Sequence, residues 1–351
     1  MRFGLFGSAQ AKRGGPDVDS GQGFRDYVEY NVEAEGLGYS STFVVEHHFT
    51  GFGQVSASLN LLTWVAARTT TLRLGTAVIV LPWHNPVLLA EQAATIDLMS
   101  NGRLEFGIGK GYRHNEFASF CIPQEEADER FEEGLALILK SWTSEERFSH
   151  HGKHWHFENI VVEPPTAQKP HPPIWFAAKH DNAIRRAALL GDCLYNSPKA
   201  TLATHKQRLA LYKDELRKLG KPLPRENPCR IEIYCARDRE TAMALAGPYI
   251  SEKYKAYAQW ESDKAMPENE RINKPFEELM KDRFVIGSPE DCWNQLQPYI
   301  TEMGVTHFVF RTHFLGMPLY NALASMRLIS DELLPALHAA KPTPLEDIVG
   351  H

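Results

Sequence analysis

The chain has 351 residues, 43% of them hydrophobic and 23% charged, and its 38 Lys and Arg against 44 Asp and Glu leave a net charge of −6. That balance is ordinary for a soluble globular enzyme, and without a long basic run it argues against nucleic acid or an anionic membrane as the main partner. Any anionic ligand would need a local cationic pocket rather than a global field. No apolar stretch approaches the roughly 18 residues of a membrane span. The start, Met1-Arg2-Phe3-Gly4-Leu5-Phe6, is too short and too quickly polar for a secretory signal. Cys229 and Cys235 lie six apart in one predicted strand, so roughly 20 Å separates them and no disulfide can join them. A reduced, cytoplasmic protein is expected.

The pattern alternates from the first residues. Phe3 to Phe6 reads as a short apolar strand, the Gly-rich stretch 14–23 as a loop, and Gly23 to Glu35 as a helix stopped by Gly36 and Gly38. Ser41 to Val45 has the β-branched and aromatic content of a buried parallel strand. It ends in Glu46-His47-His48-Phe49-Thr50-Gly51-Phe52-Gly53. A helix is expected over Ser58 to Arg68, a strand over Leu72 to Leu81, and a helix over Val87 to Met99. The strand Arg103 to Ile108 exits into Gly109-Lys110-Gly111-Tyr112-Arg113, and a long amphipathic helix follows from about Glu125 to Trp142. Residues 146–173, rich in His and Pro, read as a surface hairpin and connection.

The alternation then resumes with strand Ile174 to Ala178, helix Asn182 to Leu190, strand Asp192 to Asn196, helix Leu202 to Leu219 and strand Cys229 to Ala236. A polar, irregular insertion is expected from about Pro248 to Arg283. Ser288 should cap a helix with Pro289 in its first position. Val305 to Phe310 is the last strand and Leu319 to Leu337 the closing helix. Eight strands, each followed by a helix, are what a (β/α)8 TIM barrel requires, here as one domain over residues 1–351 with insertions, including a lid-like segment before the seventh helix. A doubly wound sheet is the rival, but Gly107-Ile108-Gly109-Lys110-Gly111 has the wrong spacing for a dinucleotide loop and follows the fourth strand rather than the first.

In a barrel, chemistry collects at the C-terminal ends of the strands, where His47, Lys110, Arg113, Lys179 and His180 all fall. Adjacent strand residues face opposite ways, so His47 and His48 should divide into one reactive group and one packing partner. Lys110 between two glycines makes a reasonable phosphate site, to which Asn182 adds the start of a helix and its N–H donors. Arg130 lies in the first turns of the helix after strand four. The cluster His150, His151, His154 and His156 sits in a polar loop with no completing Cys or Asp, so no metal is expected. Nothing matches a serine nucleophile elbow or a paired-carboxylate hydrolase.

Three segments together, Glu46-His47-His48-Phe49-Thr50 with Phe52-Gly53, Gly75 to Pro82 with Asn85-Pro86, and Arg103-Leu104 with Phe106-Gly107, resemble the bacterial luciferase family of flavin-dependent monooxygenases. Gly287-Ser288-Pro289-Glu290-Asp291-Cys292 and Ala324-Ser325-Met326 agree. The resemblance implies a barrel that takes reduced FMN from a separate NAD(P)H flavin reductase and, through a C4a-peroxyflavin formed with O2, oxygenates a small organic substrate. It places His47 as the active-site histidine and Ala77–Val78 as a non-proline cis peptide beside the flavin ring. Lys110 and Arg130 fall on phosphate-binding positions and Tyr112, next to Gly111, on a backbone contact. Lys179 and His180 stand where the best-known members carry an acidic residue and a serine. The insertion at 248–283 is placed like a mobile lid, and family members are usually dimers. Phe49, Phe52 and Trp83 could line the substrate pocket. Hydride transfer by a deazaflavin enzyme of the same fold, and a non-catalytic subunit of a heterodimer, are the alternatives.

Overall fold

A computed structural model describes residues 1–51, 55–196, 199–259 and 271–348. Its centre is a curled sheet of parallel strands: β1 (Arg2–Gly7), β2 (Ser41–Val44), β3 (Arg73–Thr76), β4 (Ile79–Val80), β5 (Leu104–Gly109), then, after an antiparallel hairpin of β6 (Phe148–His151) and β7 (His156–Ile160), β8 (Ile174–Ala177), β9 (Cys193–Tyr195), β10 (Pro228–Cys235), β11 (Phe284–Gly287) and β12 (His307–Arg311). Hydrogen bonding orders the main path β11-β10-β12-β1-β2-β3-β5-β8-β9, with β4 on β5. The first strand sits between the second and the last, with Phe6 opposite Phe43 and Leu5 opposite Phe310. At the far end β9 comes back against β10, which curls the sheet towards a barrel.

The outer layer consists of α1 (Gln22–Gly36), α2 (Ser58–Arg68), α3 (Pro86–Met99), α4 (His114–Ser119), α5 (Ala127–Thr143), α6 (Asp181–Leu190), α7 (Leu202–Lys218), α8 (Arg239–Gln259), α9 (Phe276–Arg283), α10 (Pro289–Thr301), α11 (Leu319–Leu328) and α12 (Leu334–Ala339). Among the described residues no helix is long and apolar enough to cross a membrane. The strands are short apolar runs buried on both faces, which is why they lack a two-residue alternation. Inside the barrel Phe43, Trp175, Tyr195 and His307 pack ring on ring, with Phe43 and Trp175 centroids 4.7 Å apart. Gly75 makes room for this layer, since a Cβ there would lie 2.1 Å from Phe43 Cδ1.

Three expectations are corrected. The single strand over Leu72 to Leu81 is two strands, because Val80 N donates to the Glu46 carboxylate at 2.6 Å and Leu81–Trp83 turns as a 3₁₀ helix around Pro82. The count of eight strands omitted β11, a four-residue run that follows α9 without a loop and pairs Phe284 to Gly287 with Glu232 to Cys235. The insertion beginning at Pro248 is not irregular in its described parts. Helix α8 runs through Pro248, held by Ala242, Ala246, Ile250 and Tyr254, which recur every fourth residue and are all buried. Pro248 therefore sits inside a packed helix instead of starting a loop, residues 276–283 form α9, and 260–270 lie outside the described residues. Helix α10 starts as anticipated: Ser288 Oγ accepts from Asp291 N at 3.1 Å, Asp291 Oδ2 accepts from Ser288 N at 3.0 Å, and Pro289 follows.

Candidate active site

All strands of the curled sheet run the same way, so the exits of β2, β5, β8, β9, β10 and β12 form one rim. The exit of β2 is fastened by Glu46, whose side chain is buried. Its carboxylate accepts from Val80 N at 2.6 Å, from His84 Nε2 at 2.7 Å and from His48 Nε2 at 3.2 Å. Burial alone would raise its pKa; the hydrogen bonds from His48, His84 and Val80 outweigh that and bring it down to about 2. Glu46 is thus an anion that locks three segments together.

His47 and His48 face different neighbours, as adjacent residues at a strand exit should. The His48 ring stands edge-on to Trp83 and Phe120, at centroid distances of 5.5 and 4.8 Å, and its backbone N–H donates to Glu116 Oε1 at 2.8 Å. His47 turns the other way. Its Nδ1 lies 3.4 Å from Glu116 Oε1 and its Nε2 lies 3.5 Å from Arg113 Nη2. A neutral imidazole with its proton on Nδ1 suits both neighbours. Burial lowers the His47 pKa, Glu116 opposes that, and Arg113 and Lys199 lower it further. At neutral pH His47 is therefore an uncharged base, and 19% of its side chain stays exposed.

An aromatic wall flanks His48, the neighbour of His47. Trp83 stacks on Phe120 at 5.3 Å and meets Phe117 edge-on at 5.5 Å, while Phe49 lies 5.0 Å from Phe120. Phe49 is 59% exposed and adopts φ 58°, so the loop holds a large apolar ring out at the rim. Phe52 lies outside the described residues. Of this wall, the sequence indicated Phe49 and Trp83; Phe117 and Phe120, on and just after α4, were missed because they fall in a polar stretch.

The residues expected to hold a cofactor are distributed over the same rim. The Ala77–Val78 peptide is cis, and β5 approaches it so closely that a Cβ on Gly109 would lie 2.7 Å from Val78 Cγ2. Gly111 has φ +82°, a conformation suited to glycine. Lys110 Nζ rests on Asp128 Oδ2 at 2.8 Å, and the same carboxylate meets Arg186 at 2.9 Å. Arg130 Nε donates to Glu126 at 2.8 Å. Lys110 and Arg130 thus each face a carboxylate at the start of α5. Tyr112 offers its ring as a platform to Arg113, Lys179 and Lys199, at 5.6, 4.6 and 5.8 Å. Burial and then Lys199 bring the Lys179 pKa down to about 8. Burial, Lys179, Arg208 and Lys110 push the His180 pKa down, which puts these cations around one part of the rim. Asn182 is in the first turn of α6 but its Oδ1 accepts from Arg185 at 3.1 Å on the outer side.

Sequence reasoning missed Glu116, Lys199, Arg230, Glu232, Lys253 and Arg311. The alternation of Arg230 and Glu232 within an otherwise apolar strand was the one available signal, since it puts two charges on one face of β10. Nothing in the sequence brings Lys199 or Lys253 near them. The nitrogens Trp83 Nε1, Arg230 Nε and Arg311 Nε are buried and have no hydrogen-bond partner among the described residues. Of these, Trp83 Nε1, a buried donor left over within the aromatic wall, fits a planar, acceptor-rich ring such as a flavin.

Elsewhere the surface is less suited to chemistry. A cleft of about 340 Å³ at the opposite end is lined by Leu223, Pro224, Arg225 and the segment after Pro342, without a catalytic-type cluster. His150 pairs with Glu133 at 3.0 Å and His154 lies 3.4 Å from Glu129, so these histidines dock the hairpin on α5. Among the described residues no group of three or more His, Cys, Asp and Glu is arranged to hold a metal.

The sequence model of luciferase-like monooxygenases matches residues 1–307. The chain is 25% identical over 354 aligned residues to the oxygenase component of the flavin-dependent trigonelline monooxygenase of Acinetobacter baylyi, covering 97% of each. It is 27% identical to the F420-dependent glucose-6-phosphate dehydrogenase of Amycolatopsis mediterranei, covering 90% of this chain and 96% of that one. The y4vJ protein of Sinorhizobium fredii is 35% identical, and there the match spans only about half the length of either chain, 56% and 55%. Among solved structures, the monooxygenase RslO1 of Streptomyces bottropensis superimposes with a TM-score of 0.84 at 26% identity, over 96% of this chain and all of that one.

Proposed function

The chain belongs to the luciferase-like monooxygenase family, and on that premise we propose that it is the oxygenase of a two-component system, using reduced FMN from a separate NAD(P)H flavin reductase, together with O2, to oxygenate a small organic substrate. Bound reduced FMN would supply the activation of O2; position, proton handling and dryness fall to the protein. In this proposal Lys110, Arg130 and His180 hold the phosphate, with the N–H groups beside Asn182. Ala77, Val78, Gly111, Tyr112 and Lys179 lie along the ring. The aromatic wall of Phe49, Trp83, Phe117 and Phe120 keeps water from the reacting centre. His47 accepts or returns the proton, Arg113 orients its Nε2, and Glu116 orients its Nδ1. The 248–283 segment as a lid and a dimeric assembly belong to the same proposal.

The observation that carries this reading is the uncharged His47 at the exit of β2, held between Arg113 and Glu116 and partly exposed. An F420-dependent hydride transfer is the second reading, favoured by the 27% identity to the F420-dependent dehydrogenase. Titrating the protein with FMN and with F420, then mixing the FMNH2-loaded protein with O2 in a stopped-flow spectrometer, separates them. FMN should bind, and its reduced form should reoxidise more slowly on the protein than free in buffer. Tight F420 binding with indifference to FMN would overturn the monooxygenase reading.

A further inference from the structure

Six cations gather on the floor of the mouth of a chain whose net charge is −6. They are Arg113, Lys179, Lys199, Arg230, Lys253 and Arg311, and among the described residues the carboxylates beside them are Glu116 and Glu232. Aromatic faces position most of these cations. Tyr112 carries Arg113, Lys179 and Lys199; Tyr257 carries Lys199 at 4.0 Å and Lys253 at 5.3 Å; Phe6 carries Arg230 at 4.1 Å and Arg311 at 4.6 Å. Lys253 also pairs with Glu232, and Arg311 Nη2 donates to Ser8 Oγ at 3.1 Å. Cation–π seating fixes a charge while letting its N–H groups turn to a ligand, unlike a bidentate carboxylate pair. A second observation points the same way: Arg311 is 4% exposed, yet its Nε has no partner among the described residues, and Arg230 Nε is in the same state. Gathering like charges out of water is costly unless an anion joins them.

Resting on the flavoenzyme reading above, we propose that this floor binds an oxyanion of the organic substrate, a carboxylate or a sulfonate, and holds it under the aromatic wall. The phosphate of the cofactor takes the separate group around Lys110 and Arg130, and Lys179, along the flavin ring, marks the border, so the oxyanion sits on the side of Lys199, Arg230, Lys253 and Arg311. A neutral substrate would offer no acceptor to Arg230 and Arg311, whose Nε atoms have no partner among the described residues. An anionic one supplies that acceptor, and its apolar body meets Phe49, Trp83, Phe117 and Phe120.

Lys179 and Lys199 provide a readout that does not depend on turnover. Both pKa values lie near 8, lowered first by burial. Lys179 faces Lys199, Arg230, Arg208 and the Tyr112 hydroxyl, and Lys199 faces Arg113, Lys253, Arg230 and the Tyr257 hydroxyl. A bound anion favours the charged amines, so at pH 8 its binding must take up protons.

The test is calorimetric titration of the full chain, with and without saturating FMN, using benzoate, benzenesulfonate, the neutral isostere benzamide and inorganic phosphate. At least one organic anion should bind 10-fold or more tighter than benzamide, with FMN present or absent, and its binding at pH 8 in buffers of different ionisation enthalpy should show proton uptake. Whichever of benzoate and benzenesulfonate binds tighter names the oxyanion. Arg230→Gln and, as a second variant, Lys199→Met should each weaken that anion by 10-fold or more while changing FMN affinity less than 2-fold. Equal binding of benzamide, or no binding of either anion, overturns the proposal. So does displacement of the anion by FMN or phosphate, which would assign these cations to the cofactor. If the anion binds with proton uptake but FMN does not bind at all, the anion site stands and the flavin reading falls.

Discussion

The two ends of the barrel treat buried charge by opposite rules. At the closed end Arg2 meets both Glu105 and Glu226, Arg73 donates to Glu105, and His307 bridges Ser41 Oγ at 2.9 Å and Glu226 at 3.2 Å. Arg2, Arg73 and His307 each have a carboxylate there. Burial would raise the Glu226 pKa, but His307 and Arg2 hold it at about 2, so the network stays ionised down to low pH. At the mouth, among the described residues, cations outnumber carboxylates and lean on rings. A neutralised network stabilises a fold and has nothing left to offer a ligand; an unbalanced one costs stability and can be completed only from outside. That division matches the general rule that the C-terminal face of such barrels carries function and the other face carries stability.

Breaking each end separately sharpens the contrast. The largest effect is expected from His47→Ala, which should cut turnover about 10³-fold, in the range of a lost general acid or base. FMN affinity and the unfolding midpoint should barely move, because the His47 side chain pairs only at long range. Unchanged steady-state turnover in that variant would remove His47 from the chemistry. At the closed end, Glu105→Gln takes the carboxylate from Arg73 and leaves Arg2 with Glu226 alone; the two arginines keep 27% and 29% of their side-chain exposure. A loss of about 2–3 kcal/mol is expected, less than for a fully buried pair because the arginines can recruit water. Urea unfolding measures this, and FMN binding should survive it. A variant as stable as the parent would show that the closed end is not the structural one.

Lys110→Ala comes next in size. Its partner Asp128 is half exposed, so the resting ion pair contributes little to stability. A phosphate in its place would make a charge-assisted contact, and FMN should bind about 10-fold more weakly while riboflavin, lacking the phosphate, is unaffected. Fluorescence quenching of both ligands decides it: equal losses would take Lys110 off the phosphate.

What the sequence disclosed follows the range of the interactions involved. The strands, the hairpin and the Ser288 cap are local patterns, and they emerged within a few residues of their observed ends. His47, Lys110 and Lys179 were found because each lies within three residues of a strand's C-terminal end. Glu116, Lys199, Lys253 and Arg311 escaped because their importance arises only when distant segments meet: Lys253 lies on α8, twenty-one residues from the Glu232 it pairs with. Phe284–Gly287 escaped for another reason. It abuts α9 without a turn signal, so only its pairing with β10 reveals it as a strand. Pro248 misled, since burial of one face of α8 outweighs the proline's local cost.

The smallest expected effect tests the mouth most finely. Glu116 is 2% exposed, accepts from His48 N at 2.8 Å, lies 3.4 Å from His47 Nδ1 and 3.8 Å from Arg113. Glu116→Gln keeps an oxygen for the His48 N–H and removes only the charge. Glu116 raises the His47 pKa whereas Arg113 lowers it, so Glu116→Gln leaves the imidazole harder to protonate and Arg113→Gln leaves it easier. A base works while unprotonated, so kcat/KM falls as pH drops through its pKa. The acid limb of that profile should therefore move to lower pH in Glu116→Gln and to higher pH in Arg113→Gln, with the plateau in the first variant reduced only a few-fold as the base weakens. If Glu116 merely supported the loop, thermal stability and the plateau would fall together and the limb would stay where it is in the parent.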